Sequence, residues 1–255
     1  MKRLINSVRR IEDCRSFWKE YCALKREAPE TREIRIRLRN GPVVLLPGGL
    51  MSAFNEVFLR DVYGVGSMAA LGAEPVVVDI GANAGFFTLF LLSLRPRAKV
   101  LAFEPIPENR VIMERQKRLN PGLDFVIDPR AVFGERKTTE IGYDGRKRHP
   151  VGASLLPRDE ADMAIPVETI TLPDLFSEYS LDRCDLLKID GEGAEFEILY
   201  RCPGALYESI RAMVVEVHSW AGGRKAIDDL VRFLEGNVYV VRNRKYEIVT
   251  CRRQG

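Results

Sequence analysis

The strongest hydrophobic pattern of the chain lies in residues 76–104, which read VVVDIGANAGFFTLFLLSLRPRAKVLAFE. A short apolar run ends at Asp79, a turn with two glycines follows, and a longer apolar run leads to a second short one that ends at Glu104. Short apolar runs predict buried parallel strands, and the longer run between them predicts the connecting helix. The pattern therefore indicates a β-α-β unit with an acidic residue at the carboxyl end of each strand.

The turn between strand and helix has the features of a ligand-binding loop. Gly81 and Gly85 lack a Cβ, so the backbone can turn sharply and a ligand can lie against it. The N-terminus of the next helix offers free N–H groups to that ligand. Three interpretations compete: a dinucleotide site, an S-adenosylmethionine site, and a tight turn that binds nothing.

The residues of the loop favour S-adenosylmethionine over a dinucleotide. The dinucleotide fingerprint G-x-G-x-x-G fails because Asn83 and Phe86 stand where its second and third glycines belong. Asp79 would repel a pyrophosphate, whereas S-adenosylmethionine carries an ammonium and a sulfonium. Glu104 can accept hydrogen bonds from both hydroxyls of an unphosphorylated ribose.

The pattern before this unit predicts an N-terminal extension over residues 1–70. Apolar residues at helical spacing in residues 2–27 predict an amphipathic helix that packs on the domain, with a partner-binding or dimerising helix as the alternative. Residues 33–38 alternate and precede an Asn-Gly turn and an apolar return strand, which predicts a hairpin. A second helix is predicted over residues 52–63, with Glu56 as a weak candidate for contact with the ligand.

The pattern after this unit predicts an α/β core over residues 71–255. Helices and strands alternate along it, apart from a strand-rich insert without a helix at about residues 132–170. Short strands are predicted in the insert at residues 137–143, 152–156 and 165–170. We expect a seven-stranded mixed sheet in the order 3-2-1-4-5-7-6 with helices on both faces. The predicted strands after the first two cover residues 123–127, 185–190, 212–218, 238–241 and 247–251, and the predicted helices cover residues 108–119, 173–179, 195–200 and 225–235.

The carboxyl ends of the predicted strands carry ionisable side chains. Ligands of open α/β sheets bind beyond these ends, so each such side chain is a candidate for the site. Beside the two acids already described, the candidates are Asp128, Asp190, Glu216 and His218, and Glu192 follows in the turn Asp190-Gly191-Glu192. Each alone could be a solvated strand end or a helix cap.

Charge and composition limit the partners and the compartment. A net charge of +3 over 255 residues is too small to indicate nucleic acid or membrane binding. Five scattered cysteines and a charged N-terminus without a signal peptide predict a reduced, cytoplasmic protein that is not stably inserted in a membrane. No Cys/His zinc spacing occurs, and we expect no metal, although Asp190, Glu192, Glu216 and His218 together could hold an ion such as Mg²⁺.

Several motifs together resemble a known family. DIGANAGFFT, followed by FEP and later by LLKIDGEGAEFEIL and VEVH, is similar to the FkbM family of S-adenosylmethionine-dependent methyltransferases over residues 55–241. The resemblance implies a Rossmann-like class I methyltransferase fold and a hydroxyl acceptor on a sugar, glycolipid or other small metabolite. The family has Val or Ile where this chain has Gly191. We expect the cofactor to be held by Asp79, Gly81, Asn83, Gly85, Thr88, Glu104, Pro105, Asp128 and Ala131.

The remaining expectations concern catalysis. Asp190 and Glu192 are expected to position the acceptor and polarise its hydroxyl, with His218 as the general base or its orienting partner. Lys188 could form a buried ion pair or lie at a solvated edge, and His149, in a basic loop, is expected to be solvated. The alternative functions are a non-catalytic S-adenosylmethionine-binding module and an NAD-dependent oxidoreductase. We leave a homo-oligomer open and expect no nucleic acid partner.

Overall fold

The computed structural model describes residues 2–26, 32–39, 41–67, 71–146, 149–150, 152–157, 161–222, 226–237, 239–245 and 247–254. The chain starts with an extension of helices and one hairpin. Its elements are α1 (Lys2–Arg10), α2 (Cys14–Arg26), β1 (Glu33–Arg37), β2 (Val43–Pro47), α3 (Met51–Phe54), a π-helix (Asn55–Arg60) and two 3₁₀ turns (Gly48–Leu50 and Val65–Ser67).

The core then alternates strands and helices. Its first part contains β3 (Val76–Ile80), α4 (Phe86–Leu94), β4 (Lys99–Phe103), α5 (Pro107–Leu119), β5 (Phe125–Asp128), β6 (Ala131–Val132), β7 (Thr138–Tyr143) and β8 (Met163–Ile170). Its second part contains α6 (Leu172–Glu178), β9 (Leu186–Ile189), α7 (Glu195–Tyr200), a 3₁₀ helix (Gly204–Ser209), β10 (Ala212–Glu216), α8 (Ser219–Gly222), α9 (Ala226–Gly236), β11 (Tyr239–Lys245) and β12 (Ile248–Arg253).

A seven-stranded mixed sheet organises the core. Its strands lie in the order β11-β12-β10-β9-β3-β4-β5, which in core numbering from the opposite edge is 3-2-1-4-5-7-6. The five strands β5, β4, β3, β9 and β10 pair in parallel, and β12 runs antiparallel to both of its neighbours. The predicted α/β class with this mixed sheet is confirmed. The carboxyl ends of the five parallel strands therefore meet at one edge.

Apolar clusters cover both faces of the sheet. One cluster joins α4 to the extension through Phe54, Phe58 and Phe90, and the other joins α6, α7 and α9 to β9 and β10. Helix α4 is buried along almost its whole length, because the extension covers the side that does not touch the sheet. The extension is thus a structural layer of the core, and its last part reaches the edge at which the parallel strands end.

The extension differs from its prediction in two places. The predicted single amphipathic stretch is two helices, α1 and α2, with a break at residues 11–13. The predicted helix at residues 52–63 starts as α3 and continues as a π-helix, which ends at Asp61 in the left-handed conformation with φ +52°. The hairpin is confirmed, since β1 pairs antiparallel with β2.

The insert forms a small sheet of its own. β8 pairs antiparallel with β7 and parallel with β6. A strand was predicted at residues 152–156, but only a single bridge, between Ser154 and Gly142, occurs there. Across the described part of the chain, no helix is both long and apolar enough to cross a bilayer.

Candidate functional site

A cleft of about 180 Å³ opens at the carboxyl ends of β3, β4, β9 and β10. The extension contributes Glu56 and Tyr63 to its lining, and the insert contributes Ala153 and Leu155. This is the edge at which open α/β sheets bind ligands. The lining from the sheet edge includes Gly81, Asn83, Glu104, Pro105, Ala131, Lys188, Asp190, Glu192 and Glu216.

Gly81 sets how closely the loop after β3 approaches β9. Its φ is +72°, and a Cβ at this position would lie 1.9 Å from the carbonyl oxygen of Asp190. The backbone N–H groups of Gly81 and Ala82 both donate to the carbonyl oxygen of Phe103, at 3.0 Å each. No other residue type fits this position, so glycine is what allows the ends of three strands to converge.

Asn83 and Gly85 also adopt the left-handed conformation, with φ of +51° and +79°. The Asn83 side-chain oxygen accepts the N–H of Ala84 at 2.7 Å, a local hydrogen bond that suits asparagine to such a turn. Gly85 directly precedes α4, where a Cβ would lie 3.0 Å from Cγ of Met113. Asn83 lines the cleft, whereas Gly85 lies outside the lining and shapes the turn.

Glu104 lies buried at the end of β4. Its Oε2 accepts the N–H of Asn83 at 2.7 Å, and its Oε1 accepts the N–H of Ile106 at 2.9 Å and a longer contact of 3.4 Å from the Asn109 amide. Burial raises the pKa of Glu104, and these hydrogen bonds oppose the rise. A carboxylate has about four acceptor positions, so Glu104 can still accept a ligand hydroxyl without losing its backbone contacts.

Asp79 lies beneath the cleft, fully buried, and outside its lining. Thr88, also buried, donates from its hydroxyl to Asp79 Oδ2 at 2.7 Å, and Lys188 Nζ lies 3.2 Å from Oδ1. Lys188 Nζ is also 3.4 Å from Asp190 Oδ2. Burial lowers the pKa of Lys188, but these two carboxylates outweigh it and the pKa is raised. Lys188 is therefore a buried ion-pair partner that joins β3 to β9, and a solvated edge position is excluded.

Asp128 is tied to neighbouring side chains at the end of β5. Arg130 Nη2 lies 2.6 Å from its Oδ2, and the Tyr179 hydroxyl donates to the same oxygen at 2.8 Å. Burial alone would raise the pKa of Asp128, but the hydrogen bonds from Arg130 and Tyr179 hold it below its ordinary value. Asp128 does not line the cleft, whereas Pro105 and Ala131 do.

A tyrosine of the extension links two carboxyl groups. The Tyr63 hydroxyl, on a buried side chain, lies 2.7 Å from Glu216 Oε2 and 3.0 Å from Asp190 Oδ2. Burial, followed by the charge of Asp190, raises the pKa of Glu216 to about 7. A hydroxyl has one proton to donate, so both contacts are satisfied together when one of the two carboxyl groups is protonated and donates to Tyr63, which donates to the other.

His218 follows β10 and is surrounded by carboxylates. Its Nδ1 is 2.8 Å from Glu195 Oε1, and its Nε2 is 3.3 Å from Glu192 Oε2 and 4.0 Å from Asp190 Oδ1. Burial lowers the pKa of His218, but the hydrogen bond and charge of Glu195 and the other two charges raise it overall to about 9. At neutral pH the ring is an imidazolium, which cannot accept another proton. This geometry favours the orienting role of His218 over the role of general base.

Three side chains of the acidic part of the cleft are also candidate ligands for a metal ion. Ligand atoms of Asp190, Glu192 and His218 all lie within 4.8 Å of one another. An ion there would have to displace the proton of His218, because metal ligation requires neutral imidazole. That the site uses no metal stays a prediction.

Two contributors to this site gave little or no signal in the sequence. Glu195 is fully buried and accepts the N–H groups of Gly191 and Gly193 at 3.0 and 3.1 Å as well as the contact from His218. Its place three residues after the Asp190-Gly191-Glu192 turn was a weak signal. Tyr63 had none, because its two partners lie 127 and 153 residues further along the chain.

The insert contacts the lining of the cleft at two residues, Asn109 and Glu192. The carbonyl oxygen of Pro150 accepts the Asn109 amide at 2.9 Å, and the Ser154 hydroxyl donates to the carbonyl oxygen of Glu192 at 2.7 Å. His149 is buried in this layer, with 9% of its surface exposed, so the prediction of a solvated side chain is wrong. The basic composition of the loop concealed the burial of this one side chain.

Comparison with known proteins agrees with this architecture. The sequence profile of the methyltransferase FkbM domain matches residues 79–247. Methyltransferase sdnD of Sordaria araneosa is 29% identical over 235 residues, which cover 79% of this chain and 89% of the relative. The 31-O-demethyl-FK506 methyltransferase FkbM of Streptomyces tacrolimicus is 26% identical over 234 residues, which cover 81% and 88%.

A solved structure shows a similar fold. It is the methyltransferase FkbM from Methylobacillus flagellatus KT, with a TM-score of 0.51 at 15% identity over 78% of this chain. The present chain spans 46% of that longer protein. The family resemblance of the motifs is confirmed, because the matched profile covers more than half of the chain and includes the acidic ends of β3, β4, β9 and β10. The chain belongs to the FkbM methyltransferase family.

Proposed function

We propose that this protein transfers the methyl group of S-adenosylmethionine to a hydroxyl oxygen of a sugar, glycolipid or other small metabolite. The observation that carries the proposal is one cleft with two chemically different parts. One part holds Glu104 against backbone N–H groups, and the other holds the carboxyl groups of Asp190, Glu192 and Glu216. The name of the relative that acts on 31-O-demethyl-FK506 places its methyl group on an oxygen, which supports the same chemistry here.

The residues around the loop after β3 fit the cofactor. Glu104 would accept hydrogen bonds from the ribose hydroxyls, and the loop at Gly81 and Asn83 would lie along the methionine part. Pro105 and Ala131 would contact the adenine ring. Asp79, Gly85, Thr88 and Asp128 would act indirectly by fixing the loop and strand ends that carry these contacts.

The acidic part of the cleft suits a hydroxyl acceptor. The cofactor supplies an activated methyl group on a positively charged sulfur, so the protein mainly has to orient the acceptor and remove its proton. We assign proton uptake to Asp190 and acceptor positioning to Glu192. The imidazolium of His218 would hold both carboxyl groups in place by its contacts of 4.0 and 3.3 Å.

Tyr63 offers the proton a route away from Asp190. A proton on Asp190 can pass to the Tyr63 oxygen while the Tyr63 proton passes to Glu216, over contacts of 3.0 and 2.7 Å. Glu216 is suited to hold it because burial and the charge of Asp190 raise its pKa to about 7. The relay leaves Asp190 ionised for the next acceptor.

The test has a binding step and a transfer step. Calorimetry with S-adenosylmethionine and with its demethylated product should show one site, and absence of binding would overturn the proposal. Labelled methyl transfer to a cell extract, with mass analysis of the product, should then give an O-methylated metabolite. Binding without any transfer would indicate a non-catalytic module, and a methyl group on nitrogen or carbon would overturn the assignment of oxygen.

Asp190→Asn is the informative variant for the transfer step. Loss of a positioned base should slow single-turnover transfer by about 10²–10⁴-fold while cofactor binding remains. The control is Asp124→Asn, since Asp124 lies before β5, outside the lining of the cleft. An unchanged rate in Asp190→Asn would move the base to Glu192.

A further inference from the structure

Helix α1 packs on the protein through its polar side chains. Asn6 and Ser7 are its buried residues. Asn6 Nδ2 donates to the carbonyl oxygen of Leu59 at 2.8 Å, and the Ser7 hydroxyl accepts the Trp18 Nε1–H at 3.0 Å. The rotation of the helix about its axis is therefore fixed by specific hydrogen bonds.

The opposite side of α1 presents apolar side chains to solvent. Leu4 is 57% exposed, Ile5 43% and Val8 49%. Leu4 and Val8 are four residues apart, so they lie on one face of the helix, and Ile5 lies beside them. A terminal helix that buries asparagine and serine while exposing leucine, isoleucine and valine is the reverse of the usual arrangement. This face is not needed to hold α1 in place, which points to a partner.

The charged side chains of α1 itself are all positive. Lys2 and Arg9 are exposed and flank the apolar residues, Arg3 lies toward the opposite side of the helix, and α1 contains no acidic residue. Arg39 adds a further cation, because its Nε donates to the carbonyl oxygen of Val8 at 2.7 Å. The net charge of the whole chain, +3, conceals this local concentration.

This combination of side chains favours one kind of partner. A second copy of α1 on the same face would bring Lys2 and Arg9 against their own counterparts, and like charges in contact are unfavourable. Nucleic acid would use the cations but gain nothing from three aliphatic side chains. An anionic bilayer surface uses both, since aliphatic side chains enter the headgroup boundary while lysine and arginine meet the lipid charges.

We propose that this face of α1, formed by Leu4, Ile5 and Val8 with Lys2, Arg9 and the adjacent Arg39, binds the surface of bilayers that contain anionic lipids. The contact is peripheral. Asn6 and Arg10 connect α1 to the backbone of the π-helix at Leu59 and Phe58, and the π-helix carries Glu56 into the cleft. The surface itself does not depend on the proposed methyl transfer.

The test is co-sedimentation of the whole protein with vesicles. Vesicles of phosphatidylcholine with phosphatidylglycerol should bind it, and vesicles of phosphatidylcholine alone should bind it at least about tenfold more weakly. Added salt should weaken the binding, because exposed charges are screened. Failure to bind the anionic vesicles would overturn the proposal.

Two sets of substitutions separate the contributions. Leu4→Ser, Ile5→Ser and Val8→Ser together, and Lys2→Gln, Arg9→Gln and Arg39→Gln together, should each reduce binding to the anionic vesicles by about tenfold or more. All six side chains are exposed, so the unfolding temperature should be retained.

Matched controls lie elsewhere on the surface. Val111→Ser replaces an apolar side chain that is 58% exposed on α5, and the triple variant Lys99→Gln, Arg118→Gln and Arg252→Gln makes the same change of net charge at exposed positions. Neither should alter binding, and equal losses in these controls would overturn the assignment to α1. Sedimentation velocity supplies the other outcome: self-association that only the serine variant abolishes, without vesicle binding, would show that a second copy covers this face.

Discussion

The two halves of the cleft are built in different ways. At the ends of β3 and β4, Glu104 is held mainly by the backbone N–H groups of Asn83 and Ile106. At the ends of β9 and β10, Asp190, Glu216 and His218 are held by side chains, including Tyr63 from the extension. Backbone donors fix one protonation state, whereas side chains that titrate can share and move a proton. The first half is suited to binding and the second to proton transfer.

Lys188 joins the two halves, and its removal should give the largest effect. Lys188→Met would leave Asp79 fully buried without its cation, so we expect the free energy of unfolding to fall by about 3–5 kcal/mol. Denaturant unfolding measures this change in the free energy of unfolding. The double variant Lys188→Met/Asp79→Asn should recover part of the loss, because no charge remains buried without a partner.

The matched control for this prediction is Lys99→Met, at an exposed position at the start of β4. A loss below about 1 kcal/mol in Lys188→Met, close to that of an exposed substitution, would show that the halves are joined by backbone packing alone.

The binding half can be tested at Glu104. Glu104→Ala removes the acceptor for the ribose hydroxyls and should weaken S-adenosylmethionine binding by about 1.5–3 kcal/mol, the range for hydrogen bonds to a charged group. Calorimetry on the folded variant measures this. Glu108→Ala, on the exposed first turn of α5, is the control and should bind normally. Unchanged affinity in Glu104→Ala would remove Glu104 from the cofactor site.

The proton-transfer half should be sensitive to pH through His218. Its pKa is raised from 6.5 to about 9, so the stabilisation it provides is complete below the unfolded value and is lost as pH rises through the folded value. We expect His218→Gln to cost about 1–2 kcal/mol more at about pH 6 than at about pH 10, after allowance for the exposed part of the ring.

Denaturant unfolding of the wild-type protein and of His218→Gln across this pH range measures the difference in their free energies of unfolding. The control is Asn237→Ala, which removes an uncharged side chain and should give a difference that does not vary with pH. A His218→Gln difference that is also constant would mean that the carboxylates around the ring do not hold it protonated.

The smallest effect should come from Glu216, and its sign is opposite to that of a stabilising ion pair. Burial raises its pKa from 4.5 to about 7, so the wild-type protein loses stability as pH rises through this interval. Glu216→Gln should therefore be more stable than wild type by about 1 kcal/mol at about pH 8 and equal to it near about pH 4.5. A variant that is less stable at the higher pH would show that Glu216 is an ordinary ionised partner.

The difference between the halves also explains what the sequence could predict. Strands β3 and β4 and the turn after Gly81 were predicted because their signals, apolar runs and glycines, are local. The contact of Asp190 and Glu216 with Tyr63 was not predicted, because Tyr63 lies in a segment that carries no motif. His218 was found as a strand end, but its protonation depends on three carboxylates that fold around it. Periodicity predicts elements, whereas charge states depend on burial and on neighbours distant in the chain.

The π-helix at residues 55–60 has a consequence for how this chain can change by insertion and deletion. A π-helical turn contains one residue more than an α-helical turn over the same rise. Loss of a single residue there would restore α-helical geometry over the same rise, so the chain after it could keep its position relative to the chain before it. Tyr63 could then still reach Asp190 and Glu216. Loss of a residue from a helix that stays α-helical would instead rotate the chain after it by about 100°. This segment can therefore lose one residue while the extension still takes part in the site.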